Sequence, residues 1–116
     1  MARVVFFEID TINPETTIQF FKGVFDWKFS QYNKQNYWLM RTGDDELPGI
    51  NGAVRKKGHN EITNIIEVDS LVSIVQKIEQ NGGRILEIKE NVDLGKMVFF
   101  EAPDSIKMAA IEFYKS

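Results

Sequence analysis

Two short acidic segments hold the side chains best suited to chemistry in this sequence. The ranges Glu8–Asp10 and Glu67–Asp69 have matching residue types and lie 59 positions apart. Each follows a run rich in β-branched and aromatic residues, which predicts a strand. Because strand side chains alternate between faces, the two carboxylates of each segment share one side. Two facing glutamates, one from each segment, could bind a hard cation through oxygen or share a proton as general base and acid.

The composition excludes several other kinds of site. The chain has 116 residues and no cysteine, so disulfides, thiolate nucleophiles and thiolate metal sites are excluded. His59 is the one histidine, so no site within a single chain can use two imidazoles. It lies in the polar stretch 56–61, where we expect a solvated side chain rather than an acid–base group.

Charge and hydropathy restrict the partners. The formal net charge is -3, which argues against a nucleic-acid partner, since proteins that bind nucleic acid usually have a basic face. The longest unbroken apolar runs, such as Val4–Phe7, are far too short to span a membrane. We therefore expect one cytoplasmic domain, residues 1–116, whose partner is a small molecule.

The first half of the chain has a readable order of elements. Arg3 to Ile9 predicts a strand, and Asn13 followed by Pro14 predicts the N-cap and first residue of a helix. That helix is expected to end near Gly23, because glycine is a poor helix former. Three extended segments follow: Trp27 to Tyr32, Tyr37 to Thr42 and Ile50 to Arg55.

The second half repeats this order after a polar linker at about 56–61. Ile62 to Val68 predicts a strand, and Leu71 to Ile78 predicts a helix capped by Asp69 or Ser70. Three more strands are predicted: Arg84 to Lys89, Lys96 to Glu101 and Lys107 to Tyr114. The repeated βαβββ order predicts two modules, about 1–57 and 62–116, with a ligand cavity between them.

Several motifs in this order carry a family resemblance. The strand ending in Glu-Ile-Asp, followed by Pro-Glu-x-x-x-x-Phe-Phe-x-x-Val-Phe-x-Trp, resembles the first module of the glyoxalase / bleomycin-resistance / extradiol dioxygenase superfamily. Pro48–Gly52, Asn81–Gly83 and Ala102–Asp104 resemble it further along. The resemblance implies the vicinal oxygen chelate fold, an α+β class in which two βαβββ modules form a cupped, barrel-like mixed sheet with two flanking helices. It also implies a homodimer and a divalent metal that polarises an oxygen of the substrate.

The positions that the resemblance implies for metal ligands hold unsuitable residues. They fall at Phe6, Thr63, Ala109 and near Asn51, none of which is a usual metal ligand. We therefore expect no cofactor. A divalent metal such as Mg, Mn, Zn or Ni remains conceivable only at an atypical carboxylate site.

Three functions are compatible with the sequence. The first is a glyoxalase-like protein without the usual metal ligands that binds a small organic molecule in the sheet cavity. The residues expected to line that cavity are Phe6, Trp38, Asn51, Thr63 and Ala109. The alternative is a lyase, isomerase or dioxygenase of the same superfamily, with Glu8 as general base and Glu67 as acid or orienting group. An interaction subunit without a ligand is a third reading.

Overall fold

The fold is seen in a computed structural model that describes residues 2–32, 34–91 and 94–115. Within those ranges the chain forms two α-helices, α1 (Pro14–Phe25) and α2 (Leu71–Gln80), and one 3₁₀ turn at Pro103–Ser105. The strands, in chain order, are β1 (Arg3–Asp10), β2 (Lys28–Gln31), β3 (Tyr37–Arg41), β4 (Asn51–Arg55), β5 (Glu61–Glu67), β6 (Arg84–Asn91), β7 (Gly95–Ala102) and β8 (Ile106–Phe113).

The chain divides into two compact units. One unit runs from Phe6 to Thr63, and the other contains Asn64 onward together with the start of β1, up to Val5. Each unit contains one helix and the strands that pack against it. The predicted α+β class with two βαβββ modules is thereby confirmed.

In the Phe6–Thr63 unit the strand order is β2-β3-β4-β1. β1 and β4 are parallel, and the other neighbouring pairs are antiparallel. Ile9, Met40 and Val54 pack with Ile18 of α1 in the core of this unit. Because side chains alternate along a strand, Glu8 lies on the opposite sheet face, away from α1.

In the other unit the strand order is β5-β8-β7-β6, with β5 and β8 parallel. Val68, Leu71, Val98 and Ala110 form the core beside α2. The pattern of a parallel pair flanked by antiparallel strands is the same as in the first unit, which agrees with the repeat seen in the sequence.

Both helices begin where the sequence predicts. The Asn13 Oδ1 accepts a hydrogen bond from the Thr16 N–H at 3.2 Å, and Pro14 is the first helical residue of α1. In α2 the cap is Ser70, whose Oγ accepts from the Ser73 N–H at 3.2 Å. Among the described residues, no helix is long and apolar enough to cross a membrane.

The end of α1 differs from the prediction. The helix passes through Gly23 and continues to Phe25, and Asp26 then ends it in the left-handed conformation with φ 58°. The rings of Phe21 and Phe25 stack on Trp27 with centroids 5.1 and 5.4 Å away. These aromatic contacts offset the unfavourable helix propensity of a single glycine, about 1 kcal/mol.

Candidate functional site

A buried carboxylate at the end of β1 organises the candidate site. The side chain of Asp10 is 2% exposed. Its Oδ1 accepts hydrogen bonds from the backbone N–H groups of Lys57 at 2.7 Å and Gly58 at 3.0 Å. Its Oδ2 lies 2.7 Å from Nδ1 of His59. The loop after β4 is therefore fastened to β1 by this one side chain.

The charge state of Asp10 follows from these contacts. Burial by itself would raise the pKa of Asp10. The Lys57 N–H, His59, the positive charge of Arg55 and the Gly58 N–H outweigh burial and hold this pKa below its ordinary value of 3.8. Asp10 is therefore ionised at neutral pH and can only accept hydrogen bonds. Nδ1 of His59 must then carry the hydrogen, which leaves Nε2 as the ring nitrogen not used by Asp10.

A second buried carboxylate lies two residues earlier on the same face. Glu8 accepts a hydrogen bond at Oε2 from the Tyr37 hydroxyl at 3.0 Å. Its Oε1 is 3.5 Å from Nε of Arg55, whose Nη2 is 3.9 Å from Oδ2 of Asp10. One guanidinium, 13% exposed, thus lies between two carboxylates. We refer to Glu8, Asp10, Tyr37, Arg55 and His59 as the carboxylate cluster.

Tyr37 enters this cluster as a neutral donor. Burial, the nearby negative charge of Glu8 and the hydrogen bond to Glu8 raise the pKa of the Tyr37 hydroxyl far above its ordinary value of 10.0, against a smaller lowering by Arg55. The hydroxyl therefore keeps its hydrogen at neutral pH. It can position Glu8 but cannot act as a phenolate base.

The structure assigns the two predicted acid–base residues to different units. Glu8 belongs to the Phe6–Thr63 unit, where it lies opposite Ala53 of β4. Glu67 belongs to the other unit, where it lies opposite Ile111 of β8 and is half-buried. The groups that contact Glu8 are Tyr37 and Arg55, which the sequence did not assign to Glu8 as partners.

The predicted ligand-binding residues are distributed over several strands. Phe6 and Asn51 lie directly opposite each other on β1 and β4, and both are half-buried. Thr63 on β5 is buried, and Ala109 on β8 is fully buried opposite Ile65. Whether any of them binds a ligand stays a prediction.

Trp38 is placed differently from the expectation that it lines the sheet cavity. It lies on the face that carries α1, packed against the core that contains Ile18 and Met40. Since neighbouring residues of a strand point to opposite faces, Tyr37 is the member of this pair that shares the face of Glu8. The register explains this, because Tyr37 is opposite Arg55 in β4.

His59 is less isolated than its sequence context predicts. Its side chain is 62% exposed, but the ring is held by the hydrogen bond to Asp10. Glu61 lies close to both, and donor atoms of Asp10, His59 and Glu61 come within 4.8 Å of one another. Among the described residues, these three side chains form a group whose donor atoms could hold a metal ion, although Asp10 and His59 are already joined by a hydrogen bond.

The comparisons with known proteins concern the fold. No protein-family model and no curated protein matches the chain. Solved structures do match. They include a methylmalonyl-CoA epimerase from Mycobacterium tuberculosis, with TM-score 0.68, 9% identity, and coverage of 97% of this chain and 88% of that one. A glyoxalase/bleomycin resistance protein/dioxygenase superfamily member from Vibrio splendidus 12B01 matches with TM-score 0.67, 14% identity, and coverage of 98% and 100%. The chain has the vicinal oxygen chelate fold.

A third match shows how far this fold extends along the chain. A hypothetical protein from Bacillus halodurans C-125 aligns with TM-score 0.70 and 12% identity over 99% of this chain and 96% of its own. The superfamily member from Vibrio splendidus covers 98% of this chain, so the vicinal oxygen chelate fold extends over nearly its whole length. At such low sequence identity the comparison shows the fold alone.

Proposed function

We propose that this vicinal oxygen chelate protein binds a small organic molecule without chelating it through a metal at the positions implied by the superfamily resemblance. The observation that carries the proposal is the chemistry of those positions. Phe6 and Ala109 have hydrocarbon side chains, and the Thr63 hydroxyl is buried. Imidazole and carboxylate groups are the usual protein ligands of Zn²⁺, and Mg²⁺ is usually held by carboxylates, so these residues do not fit a divalent ion.

The nearby carboxylate does not replace them. Glu8 shares a face with Phe6, but its two oxygens already face the Tyr37 hydroxyl and the Arg55 guanidinium. A metal would have to displace the guanidinium and leave that cation buried without Glu8, which is costly. The residues around Glu8 therefore favour a fixed ion pair over a metal site.

The surface proposed for the ligand is the face of β1, β3 and β4 away from α1. Phe6 and Asn51 offer a ring and an amide side by side. Leu39, opposite Ala53, is 42% exposed on the same face. On the same face, Glu8 and Asp10 contribute two buried negative charges and Arg55 one positive charge. That balance favours a flat ligand that is neutral or cationic.

Metal analysis tests the first half of the proposal. Protein purified without chelators should contain Ni, Zn, Mn and Fe well below one equivalent. Stoichiometric metal that is lost in Glu8→Ala or Glu67→Ala would contradict the proposal, because those side chains would then be ligands.

A fluorescence titration with proflavine, a flat cationic dye, tests the second half. Leu39→Gln should weaken binding, because the polar amide interrupts the apolar part of the surface. Leu47→Gln is the matched control, since Leu47 is exposed in the same unit but lies outside the strands. Equal dye binding by the wild type and both variants would contradict the assigned surface.

The second candidate is an enzyme that uses Glu8 as a general base without a metal. The buried Glu8 carboxylate held by the Tyr37 hydroxyl favours this candidate. Solved structures with this fold include a methylmalonyl-CoA epimerase in complex with methylmalonyl-CoA, which makes that thioester a reasonable substrate to test. The wild type should incorporate deuterium into methylmalonyl-CoA in D₂O, or turn over α-keto thiohemiacetals or catechols. Glu8→Gln should abolish these activities. No turnover by the wild type would contradict this candidate.

We further propose, from the superfamily resemblance, that the protein is a cytoplasmic homodimer. Multi-angle light scattering of the full chain tests the oligomeric state. A mass of one chain across a wide concentration range would contradict the dimer.

A further inference from the structure

An open groove of about 560 Å³ lies on the other face of the same unit, between α1 and the strands β2 and β3. Its walls include Ile18, Lys22, Phe29, Gln31, Trp38 and Lys56. We propose that this groove is a second binding site, which takes a small planar organic anion with its ring over the Trp38 side and its charge near Lys22. The inference is independent of the function proposed above.

The strand register explains the sheet wall of the groove. Trp38 is directly opposite Gln31 of β2 on one side and Val54 of β4 on the other, so these three side chains share a face. Side chains directly opposite each other in a sheet have Cβ atoms about 5 Å apart. The Trp38 side chain therefore lies between those of Gln31 and Val54 and packs against the core, and it is half-buried rather than enclosed.

The end of this wall is fixed by a backbone hydrogen bond. The Lys56 N–H donates to the Asn36 carbonyl oxygen at 3.2 Å, one residue beyond the pair formed by Tyr37 and Arg55. Lys56 and Asn36 are thus held beside each other at the end of the same face as Trp38. Both line the groove.

The helix wall supplies apolar surface and a cation. Ile18 and Lys22 are four residues apart and so lie on one side of α1. Ile18 is buried, and the Lys22 side chain reaches the groove from the last turn. Glu15, which also lines the groove, is seven residues from Lys22, or about 10 Å along the helix axis. That spacing exceeds the three or four residues at which helical ion pairs form.

The ligand class follows from this composition. Two lysines and one glutamate give the groove a net positive charge, which favours an anion. Most residues that line the groove are polar, and Trp38 and Phe29 are the two aromatic residues among them. Aromatic rings stack well on tryptophan. The volume is within the range of pockets that hold small organic ligands, about 300–1,000 Å³.

Two dyes that differ by one sulfonate group test this proposal. 8-Anilinonaphthalene-1-sulfonate carries one sulfonate, and N-phenyl-1-naphthylamine is the same ring system without it. The groove should bind the sulfonate more tightly. Lys22→Gln should weaken sulfonate binding by about two- to fivefold, as expected for one partly exposed charge pair, and Glu15→Gln should strengthen it. Neither change should alter binding of the neutral dye.

Lys77→Gln is the matched control, because Lys77 holds the same last-turn position in α2 that Lys22 holds in α1. It should leave both dyes unaffected. In Trp27→Phe the remaining tryptophan is Trp38, and sulfonate binding should quench its fluorescence in a saturable way.

Three results would overturn the assignment. The first is equal binding of the two dyes. The second is an equal response to Lys22→Gln and Lys77→Gln. The third is sulfonate binding that is unchanged in Trp38→Leu, which would place the dye elsewhere, for example on the exposed rings of Phe20 and Phe25. Leu39→Gln, on the opposite face, should leave the quenching unchanged, so a failure here is distinguishable from a failure of the function proposed above.

Discussion

Replacing Asp10 by asparagine should destabilise the fold. The Oδ1 atom of the new amide could still accept the N–H groups of Lys57 and Gly58. Its NH₂ group, however, would face the His59 ring and the Arg55 guanidinium, where the wild type has a negatively charged oxygen.

The magnitude follows from the interactions that this substitution removes. Hydrogen bonds to charged groups contribute about 1.5–3 kcal/mol each, and removing one partner of a buried ion pair costs about 3–5 kcal/mol. Because the Asp10 side chain is 2% exposed, little of its interaction energy is screened by solvent. We expect the free energy of unfolding to fall by about 3 kcal/mol at pH 7. For a chain of this size that decrease lowers Tm by roughly 10 °C.

The pH dependence gives a stricter test. The pKa of Asp10 is lower in the folded state than its ordinary value of 3.8, so its stabilising contribution is complete above that value. It decreases as pH falls below 3.8 and disappears below the folded pKa. The difference in the free energy of unfolding between wild type and Asp10→Asn, measured by urea unfolding, should be smaller at pH 3 than at pH 5 or pH 7.

Asp26→Asn is the control for charge alone. Asp26 pairs with Lys28 at 3.1 Å, but its side chain is 90% exposed, so its removal should change stability by less than about 0.5 kcal/mol. Two results would contradict this role of Asp10. The first is equal destabilisation of Asp10→Asn and Asp26→Asn, and the second is a loss of unfolding free energy in Asp10→Asn that is as large at pH 3 as at pH 7. His59→Ala should cost less than Asp10→Asn, because it removes one exposed partner and leaves the buried carboxylate with three.

Three further changes have defined outcomes. Tyr37→Phe removes the donor to Glu8 and should lower the free energy of unfolding by about 1.5–3 kcal/mol, measured with urea. The difference spectrum of wild type minus variant at 295 nm should show no phenolate at pH 10. A phenolate signal there would contradict the raised pKa of the Tyr37 hydroxyl. Gly52→Ala would place a methyl group against a carbonyl oxygen of β1 and should lower the free energy of unfolding by about 1–3 kcal/mol. In Gly23→Ala the new methyl group meets no atom within 4 Å, so this change should stabilise α1 by up to about 1 kcal/mol. A Gly52→Ala variant more stable than Gly23→Ala would contradict this packing. Ser70→Ala removes the α2 N-cap and should cost about 1 kcal/mol in thermal unfolding, with no change expected only if the cap is not formed.

Much of the fold was readable because its signals are local. Asn13, and Asp69 or Ser70, predicted the two helix starts. Runs rich in β-branched and aromatic residues predicted the strands of the βαβββ order. These signals depend on backbone chemistry within a few residues. The prediction that α1 ends near Gly23 was wrong, because the stacking of Phe25 on Trp27 is a tertiary contact that helix propensity does not include.

The sequence predicts only part of the candidate site. Alternation placed Glu8 and Asp10 on one face, as the structure shows. The bond between Asp10 and His59 joins residues 49 positions apart through a loop, and no local pattern specifies it. The assignment of Trp38 to the helix face depends on its register with β4, which the sequence of β3 alone does not contain.

β1 belongs to both compact units, since Val5 clusters with one and Phe6 with the other. A cleavage after Thr63 therefore does not yield two complete halves. The fragment that starts at Asn64 would lack the strand segment with which it is compact in the intact chain. A synthetic peptide that restores that segment should raise the fragment's protection from proteolysis, in a way that no peptide from the α1 region could reproduce.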